Sequence, residues 1–266
     1  MRCGRRGAGQ RRAGGRRPWC GKRLRYAEGN TPLTTAPRRF YKEVAVQPVE
    51  GGFRLALDGR PLLTPAKAGL LLPSLAFAEA IAEEWRSQGE RLKPAAMPLT
   101  QLANTAIDRV APDPKPAIDE LMGYAGTDLT CYRAEAPESL VERQRRHWQP
   151  LLDDLARRHE VLLSVHQGII PRPQPPAALA TLGRHLGAQP PFILTGLAAA
   201  TRATGSLVIG LALAEGLVSP DQAFEISQLD ESWQIEQWGE DAEATAQRRA
   251  LRQEIQDTHR FLSLAR

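Results

Sequence analysis

Residues that could carry out chemistry are scattered along this sequence and do not fall at catalytic spacing. The adjacent acids Asp153-Asp154 and Asp230-Glu231 would point about 100° apart on a helix, so neither pair can easily share one substrate. The sequence has no phosphate-binding Gly-rich loop, no dinucleotide fingerprint and no nucleophile elbow. We therefore predict no catalytic residues and no cofactor, and a binding protein rather than an enzyme.

The histidines and cysteines do not suggest a metal site either. The five histidines form no cluster along the sequence, and His147 and His159 are expected at the surface rather than on a metal. The three cysteines are Cys3, Cys20 and Cys131, which excludes a disulfide framework or zinc spacing within the fold. Cys131 is expected to be a small packed residue in a reducing compartment.

The strongest candidate for a binding residue is Glu231, in the segment LDESWQIEQWG at 229–239. Ser219, Pro220 and Gln222 have the pattern of a capped helix start, and Gly239 is a natural stop, so one helix is predicted over residues 220–238.

At about 100° per residue, this helix would be apolar on two sides. Ile226, Leu229 and Trp233 share one face, and nearly opposite lie Phe224, Ile235 and Trp238. Glu231 falls in the middle of the second apolar group, with Gln228 beside it. A carboxylate buried there without a partner would be costly. It is therefore either a core residue paired with an Arg or capping a helix, or a residue that faces a protein partner.

Charge is divided unevenly along the sequence. Residues 1–39 carry eleven Arg, one Lys and one Glu, a net charge of +11, whereas the whole chain is +5, so residues 40–266 carry −6. We predict that residues 1–37 are a disordered Arg/Gly-rich tail. The tail resembles a mitochondrial presequence in its Arg content but contains no Ser, and an upstream-extended translation start in a GC-rich bacterium explains it equally well. Because the acidic body has no basic stripe, nucleic-acid binding is not expected.

The hydrophobic pattern predicts an α+β fold with two domains after the tail. Short strands at 44–47, 53–57, 60–64 and 70–72, with the turn Asp58-Gly59, predict an antiparallel β-meander covered by a helix from Ser74 to Gln88, within a β-rich domain of residues 38–96. Glu79, Glu83 and Glu84 are expected on the solvated face of that helix. Residues 97–266 are predicted to form a mostly helical domain, and no segment is long and apolar enough to span a membrane or to form a secretory signal.

Within the helical part, a long basic helix is predicted from Pro137 to Glu160. The polar turn before it contains Asp128 and Arg133, which could pair, although a structural connector is the favoured interpretation. Further helices are predicted at 177–186, 191–200, 205–215 and 242–264.

A series of short motifs then resembles one known family. They are Arg39-Phe-Tyr-Lys42, Leu57-Asp-Gly-Arg-Pro61, Ile81-Ala-Glu-Glu-Trp85, Met97-Pro-Leu-Thr100, Thr127-Asp128 with Cys131-Tyr132-Arg133, Gln144 with Trp148-Gln-Pro-Leu151, and Glu231-Ser-Trp-Gln234 with Trp238-Gly239. In this order they resemble the mitochondrial and alphaproteobacterial chaperones that assemble the catalytic sector of ATP synthase. The resemblance covers about residues 38–264.

The resemblance implies a chaperone that binds the unassembled alpha subunit, shields its beta-facing surface and delivers it for hexamer assembly. It also implies that the critical acidic residue is Glu231, with Gln234 and Trp238 in the same motif. Gln228, which lies beside Glu231 on the predicted helix, is expected to be a further partner-binding residue. We expect a monomer in the bacterial cytoplasm, or alternatively in the mitochondrial matrix. Two alternatives stay open: a hydrolase or transferase with an unrecognised site, and an RNA-binding protein that acts through its Arg-rich tail.

Overall fold

An antiparallel sheet begins the folded part of the chain, for which a computed structural model describes residues 37–168, 170–239 and 242–266. Strand β1 (Val44–Val49) pairs with β2 (Gly52–Leu57), and β3 (Arg60–Pro61) and β4 (Leu71–Leu72) share the other edge of β2. Asp58 and Gly59 both have positive φ, 47° and 77°, as a tight two-residue hairpin turn requires. The tail predicted for residues 1–37 lies outside the described residues, except for Pro37.

Helix α1 (Leu75–Arg86) covers this sheet, as predicted. Ser74 caps it by accepting a hydrogen bond from the Phe77 amide at 3.2 Å. Phe77 and Ile81 are fully buried against Leu55 and Leu72 of the sheet. Burial of the apolar face of the sheet is what allows these short strands to persist.

Glu84 joins this layer to the helix that follows. Its carboxylate accepts hydrogen bonds from the Leu99 amide (2.7 Å), the Thr100 amide (2.8 Å) and the Thr100 hydroxyl (2.6 Å), at the start of α2 (Pro98–Thr105). Glu84 is only 8% exposed. The expectation that it lies on a solvated face with Glu79 and Glu83 is therefore wrong, because its position caps a second helix.

The rest of the chain is mostly helical. A π-helical turn (Ala106–Val110) continues α2. There follow α3 (Lys115–Gly126), β5 (Tyr132–Arg133), α4 (Glu138–His159), β6 (His166–Gln167), α5 (Pro176–Gly187), α6 (Pro191–Thr204), α7 (Leu207–Ala214), α8 (Pro220–Ser227), α9 (Leu229–Trp238) and α10 (Ala242–Leu264). Strands β5 and β6 pair in parallel.

Asp128 fixes the start of α7. It is completely buried and accepts hydrogen bonds from the Ser206 hydroxyl (2.7 Å), the Val208 amide (3.1 Å) and the amide and hydroxyl of Thr130. Four donors therefore satisfy this carboxylate without Arg133, so the possible Asp128–Arg133 pair does not form and the connector interpretation is the correct one.

Helices α6 and α7 form the centre of the helical core. Every residue of α7 is buried, and Gly210 allows α7 to approach Thr201 of α6 closely. Helix α10 runs across both hydrophobic clusters: Ile255 lies in the helical one, and Phe261 packs edge-to-face on Phe77 of the other at a ring separation of 5.2 Å.

The predicted α+β fold, with antiparallel strands first and a helical region after them, is confirmed. The division into domains at residues 96 and 97 stays a prediction. Among the described residues, no helix is long and apolar enough to cross a membrane.

Candidate functional site

The segment predicted as one helix is broken at Gln228. Helix α8 begins with the predicted capping box of Ser219 and Gln222, and α9 ends at Gly239, as expected. The Ser227 hydroxyl donates to the Phe224 carbonyl at 2.9 Å, a side-chain bond of the kind that bends helices, and Gln228 leaves helical geometry with ψ at 25°. The single helix over 220–238 is therefore corrected to two helices.

Helix α4 holds the inner face of α9 through buried polar groups. Gln144, 1% exposed, donates from Nε2 to Asp230 Oδ1 (2.8 Å) and accepts from the Ala134 amide (2.8 Å). The Trp148 indole N–H donates to the Ile226 carbonyl at 3.0 Å. These bonds fix the end of α8 and the start of α9 against α4, because each group would be unsatisfied if the helices separated.

Apolar contacts accompany these bonds. Trp148, Leu140 and Leu229 form a small buried cluster, with Ile226 and Trp233 partly buried against it. The first predicted apolar face, that of Ile226, Leu229 and Trp233, is therefore confirmed as a packing face.

Charged groups hold α8 and α9 at their outer edges. Arg143 of α4 makes two hydrogen bonds of 2.8 Å to the Glu236 carboxylate. From α10, Arg248 donates to Ser232 Oγ (3.0 Å) and to Gln228 Oε1 (3.4 Å). The bidentate Arg143–Glu236 pair adds directional restraint to α9.

Glu231 is on the other side of α9, away from these contacts. Its side chain is exposed, and it makes no hydrogen bond or ion pair with any residue that the structure describes. The second predicted apolar group does not stay together: Phe224 is buried in the helical core beneath Arg248 and Arg252, Ile235 is half-buried, and Trp238 is 74% exposed. The interpretation of Glu231 as a buried core residue is therefore wrong, because the bend and the single packed face leave it in solvent.

The predicted site residues do come together on one surface. Glu231, Gln234 and Trp238 follow one another at intervals of three and four residues, which places them along one helical face, and all three are exposed. Gln228 precedes them at the same interval and is half-buried beneath Arg248. We call Gln228, Glu231, Gln234 and Trp238 the α9 surface. The Trp238 ring stands edge-to-face on Trp233 at 5.8 Å, which restrains it.

Sequence reasoning missed one buried cation below this surface. Arg133 is 7% exposed and its guanidinium lies 5.0 Å from the centre of the Trp148 ring. Burial lowers the pKa of Arg133, whereas the nearby Cys131 and Asp230 oppose that shift. Its Nη1 and Nη2 have no hydrogen-bond partner within the described part of the chain. The only sequence signal was the motif Cys131-Tyr132-Arg133, which did not reveal the stacking partner.

Chemically, the α9 surface suits recognition of a protein. It offers one carboxylate, amides and an exposed indole on a helix that is held rigidly from behind. Exposed aromatic residues beside hydrogen-bonding groups are typical of protein contacts.

Comparison with known proteins identifies the family of the chain. The family model described as the ATP12 chaperone protein matches residues 38–156. The mitochondrial protein atp12 of Schizosaccharomyces pombe is 25% identical over 214 residues, covering 76% of this chain and 74% of that protein.

Solved structures are more similar. Crystal structures of Atp12 from Paracoccus denitrificans, one of them an aspartate-to-lysine mutant, are each 43% identical and cover 86% of this chain and 98% of theirs, with a TM-score of 0.81. A putative chaperone from Agrobacterium tumefaciens is 40% identical, covers 86% of this chain and 87% of its own, and also has a TM-score of 0.81. The chain therefore belongs to the ATP12 chaperone family, which confirms the ATP synthase assembly chaperone that the ordered motifs indicate.

Proposed function

We propose that this chaperone binds the unassembled alpha subunit of the ATP synthase catalytic sector, and that the α9 surface contacts it. The chain shields the beta-facing side of alpha and releases it when beta arrives. The alpha subunit as client comes from the family resemblance of the sequence motifs, and the site comes from the exposed residues that those motifs place on α9.

The observation that carries the proposal is the exposed and unpaired Glu231 on an otherwise firmly held helix. A carboxylate that stabilised the fold would accept hydrogen bonds, as Glu84 and Asp128 do. Glu231 has none among the described residues, yet α9 is anchored by Gln144 and Arg143 on its other side. A rigid helix loses little conformational freedom when it binds, which favours its use as a contact surface.

Trp238 gives this surface its apolar part. Its ring is 74% exposed and its edge-to-face contact with Trp233 orients it toward solvent. Tryptophans in such positions contribute strongly to protein contacts. Since residues 40–266 carry a net charge of −6, a basic or amide-rich patch on the alpha subunit would complement the Glu231 carboxylate.

The experiment is co-expression of the full chain with the alpha subunit of its own organism, with and without beta, followed by size-exclusion chromatography. We expect alpha to be soluble in a one-to-one complex with the chain, and beta to dissolve that complex. Alpha that stays insoluble, or that is equally soluble without the chain, would contradict the proposed client.

Charge-reversal variants test the α9 surface separately. Glu231→Lys should abolish the complex while thermal unfolding stays near wild type, since Glu231 makes no contact that stabilises the described fold. Glu225→Lys is the matched control, because it makes the same change at an exposed position of α8 and should leave the complex intact. If both variants bind the alpha subunit equally well, Glu231 is not part of the contact.

The same proposal includes a monomeric chaperone without catalytic activity of its own. Its relatives include a mitochondrial protein and bacterial proteins, so we place the chain in the bacterial cytoplasm or the mitochondrial matrix. Light scattering on the purified chain tests the monomer.

A further inference from the structure

Two histidines and a glutamate that are far apart in the sequence meet at the ends of three helices. His159 is the last residue of α4, His185 lies near the end of α5, and Glu215 directly follows α7. A ligand atom from each lies within 4.8 Å of the others. The expectation that His159 lies at the surface is therefore wrong. The expectation that the histidines form no cluster is also wrong, because His159 and His185 lie together.

The geometry within the group is close to that of a metal site. His159 Nε2 and Glu215 Oε1 are 2.7 Å apart, and their side chains are only 16% and 21% exposed. The two imidazole rings are 4.4 Å apart between centres and steeply inclined, at 63°. An ion bound at about 2.0–2.2 Å from each ligand atom needs only a small opening of the His159–Glu215 contact.

Neighbouring side chains orient the carboxylate for such a role. Arg158 donates to Glu215 Oε2 at 3.3 Å, which leaves Oε1 directed at His159. Arg158 is itself paired with Asp154 at 3.2 Å, so that its positive charge is partly neutralised. Outer partners that fix the position of a ligand in this way are a regular feature of protein metal sites.

A side-chain amide holds the second histidine in place. Gln189 lies 3.3 Å from His185 Nε2 and restrains the ring.

An open space adjoins the group. A surface pocket of about 300 Å³ is lined by His185, Glu215, Gln189, Arg266 and apolar residues of α6 and α7. It can admit a water molecule or an external ligand as the fourth group on an ion, an arrangement typical of zinc bound by three protein ligands.

We propose that His159, His185 and Glu215 form a binding site for a divalent transition-metal ion of the zinc class. The ion lies between His159 Nε2, which has no hydrogen-bond partner among the described residues, and Glu215 Oε1, and a proton on the coordinating nitrogen leaves to solvent when the ion binds. Two imidazoles and one carboxylate form a ligand set that zinc favours. The bound ion connects α4, α5 and the end of α7, at a site independent of the α9 surface.

Zinc titration of the untagged full chain by isothermal calorimetry, after treatment with a chelator, tests the site. We expect binding in the micromolar range or tighter, and a rise of a few degrees in Tm with zinc, because an ion that binds only the folded state stabilises it. His185→Ala and Glu215→Gln should each weaken binding at this site by at least about 100-fold and abolish the rise in Tm.

His147→Ala is the matched control, since His147 is an exposed residue of α4 and should leave zinc binding unchanged. Cys3 and Cys20 remain in every variant, so any zinc that they bind is common to all. Circular dichroism of each variant without metal confirms folding. If the folded variants bind zinc as the wild type does, or if the wild type shows no zinc-dependent rise in Tm, the proposal is overturned and the three side chains are near neighbours only.

Discussion

Gln144 Nε2 donates a hydrogen bond to Asp230 Oδ1 across 2.8 Å, and this bond connects the second turn of α4 to the first turn of α9. The two residues are 86 positions apart in the sequence. Since the same amide also accepts from Ala134, one buried side chain positions both the loop before α4 and the helix that carries Glu231.

Gln144→Ala should therefore destabilise the protein. The substitution leaves the Ala134 amide and the Asp230 carboxylate without their partner, which costs about 1–3 kcal/mol. Urea unfolding measures the loss. Gln149→Ala is the control, because Gln149 lies on the same helix and its amide bonds only to the exposed Asp153. If both variants lose the same stability, Gln144 does not hold α9.

Glu84→Ala should be more damaging than Glu83→Ala, although the two residues are adjacent. Glu84 accepts three hydrogen bonds at the start of α2, so we expect a loss on the order of 3 kcal/mol. The Glu83 side chain is 67% exposed and makes only a 3.8 Å contact with Arg86, so its removal should cost less than about 0.5 kcal/mol. Paired thermal and urea unfolding curves would show the difference, and equal losses would contradict the capping role.

Gly196→Ala should destabilise the packing of α6 against α10. A Cβ atom there would lie 2.6 Å from Leu262 Cδ2 and 3.1 Å from Phe261 Cδ1, both in buried side chains. Overpacking of this kind costs about 1–3 kcal/mol. Gly183→Ala in α5 is the control, since its nearest neighbour would be Met122 Sδ at 3.9 Å, and it should be neutral or stabilise the helix by up to about 1 kcal/mol. A neutral Gly196→Ala variant would show that α10 can shift.

Stability should fall in mildly acidic solution. Burial lowers the pKa of both His185 and His259, with His159 adding to the first shift and Arg266 to the second. At these two residues the unfolded chain binds more protons than the folded chain below about pH 6.5, so their contribution to stability rises with pH through this range and is lost as pH falls. Urea midpoints between pH 5 and 8, measured with a chelator present, test this.

His185→Asn should make that pH profile flatter, whereas His147→Asn should leave its shape unchanged. An unchanged profile for His185→Asn would show that this ring does not contribute to acid sensitivity.

Features that depend on neighbours in sequence could be predicted. The capping box at Ser219 and Gln222, the turn at Asp58-Gly59 and the long helix α4 each follow from a few adjacent residues. The exposed positions of Gln234 and Trp238 also agree with their assignment to a partner surface, although their role stays a prediction.

Features that depend on distant residues could not be predicted. Glu84 caps a helix that begins 14 residues later, and Asp128 caps one that is 78 residues away at Ser206. Periodicity reports which face a residue occupies, but not which helix end lies opposite that face. The sequence left Glu231 either buried or facing a partner for a related reason, since the break at Gln228 separates α8 from α9 and divides what would be one apolar face.

The path of α10 across both hydrophobic clusters affects how the protein is made. Phe261 and Ile255 belong to different clusters, and α10 follows every other element of both in the sequence. A nascent chain on the ribosome therefore cannot complete either core until α10 has emerged. Apolar surface meant for α10 stays open until then, so this chaperone is itself vulnerable to aggregation before α10 has emerged.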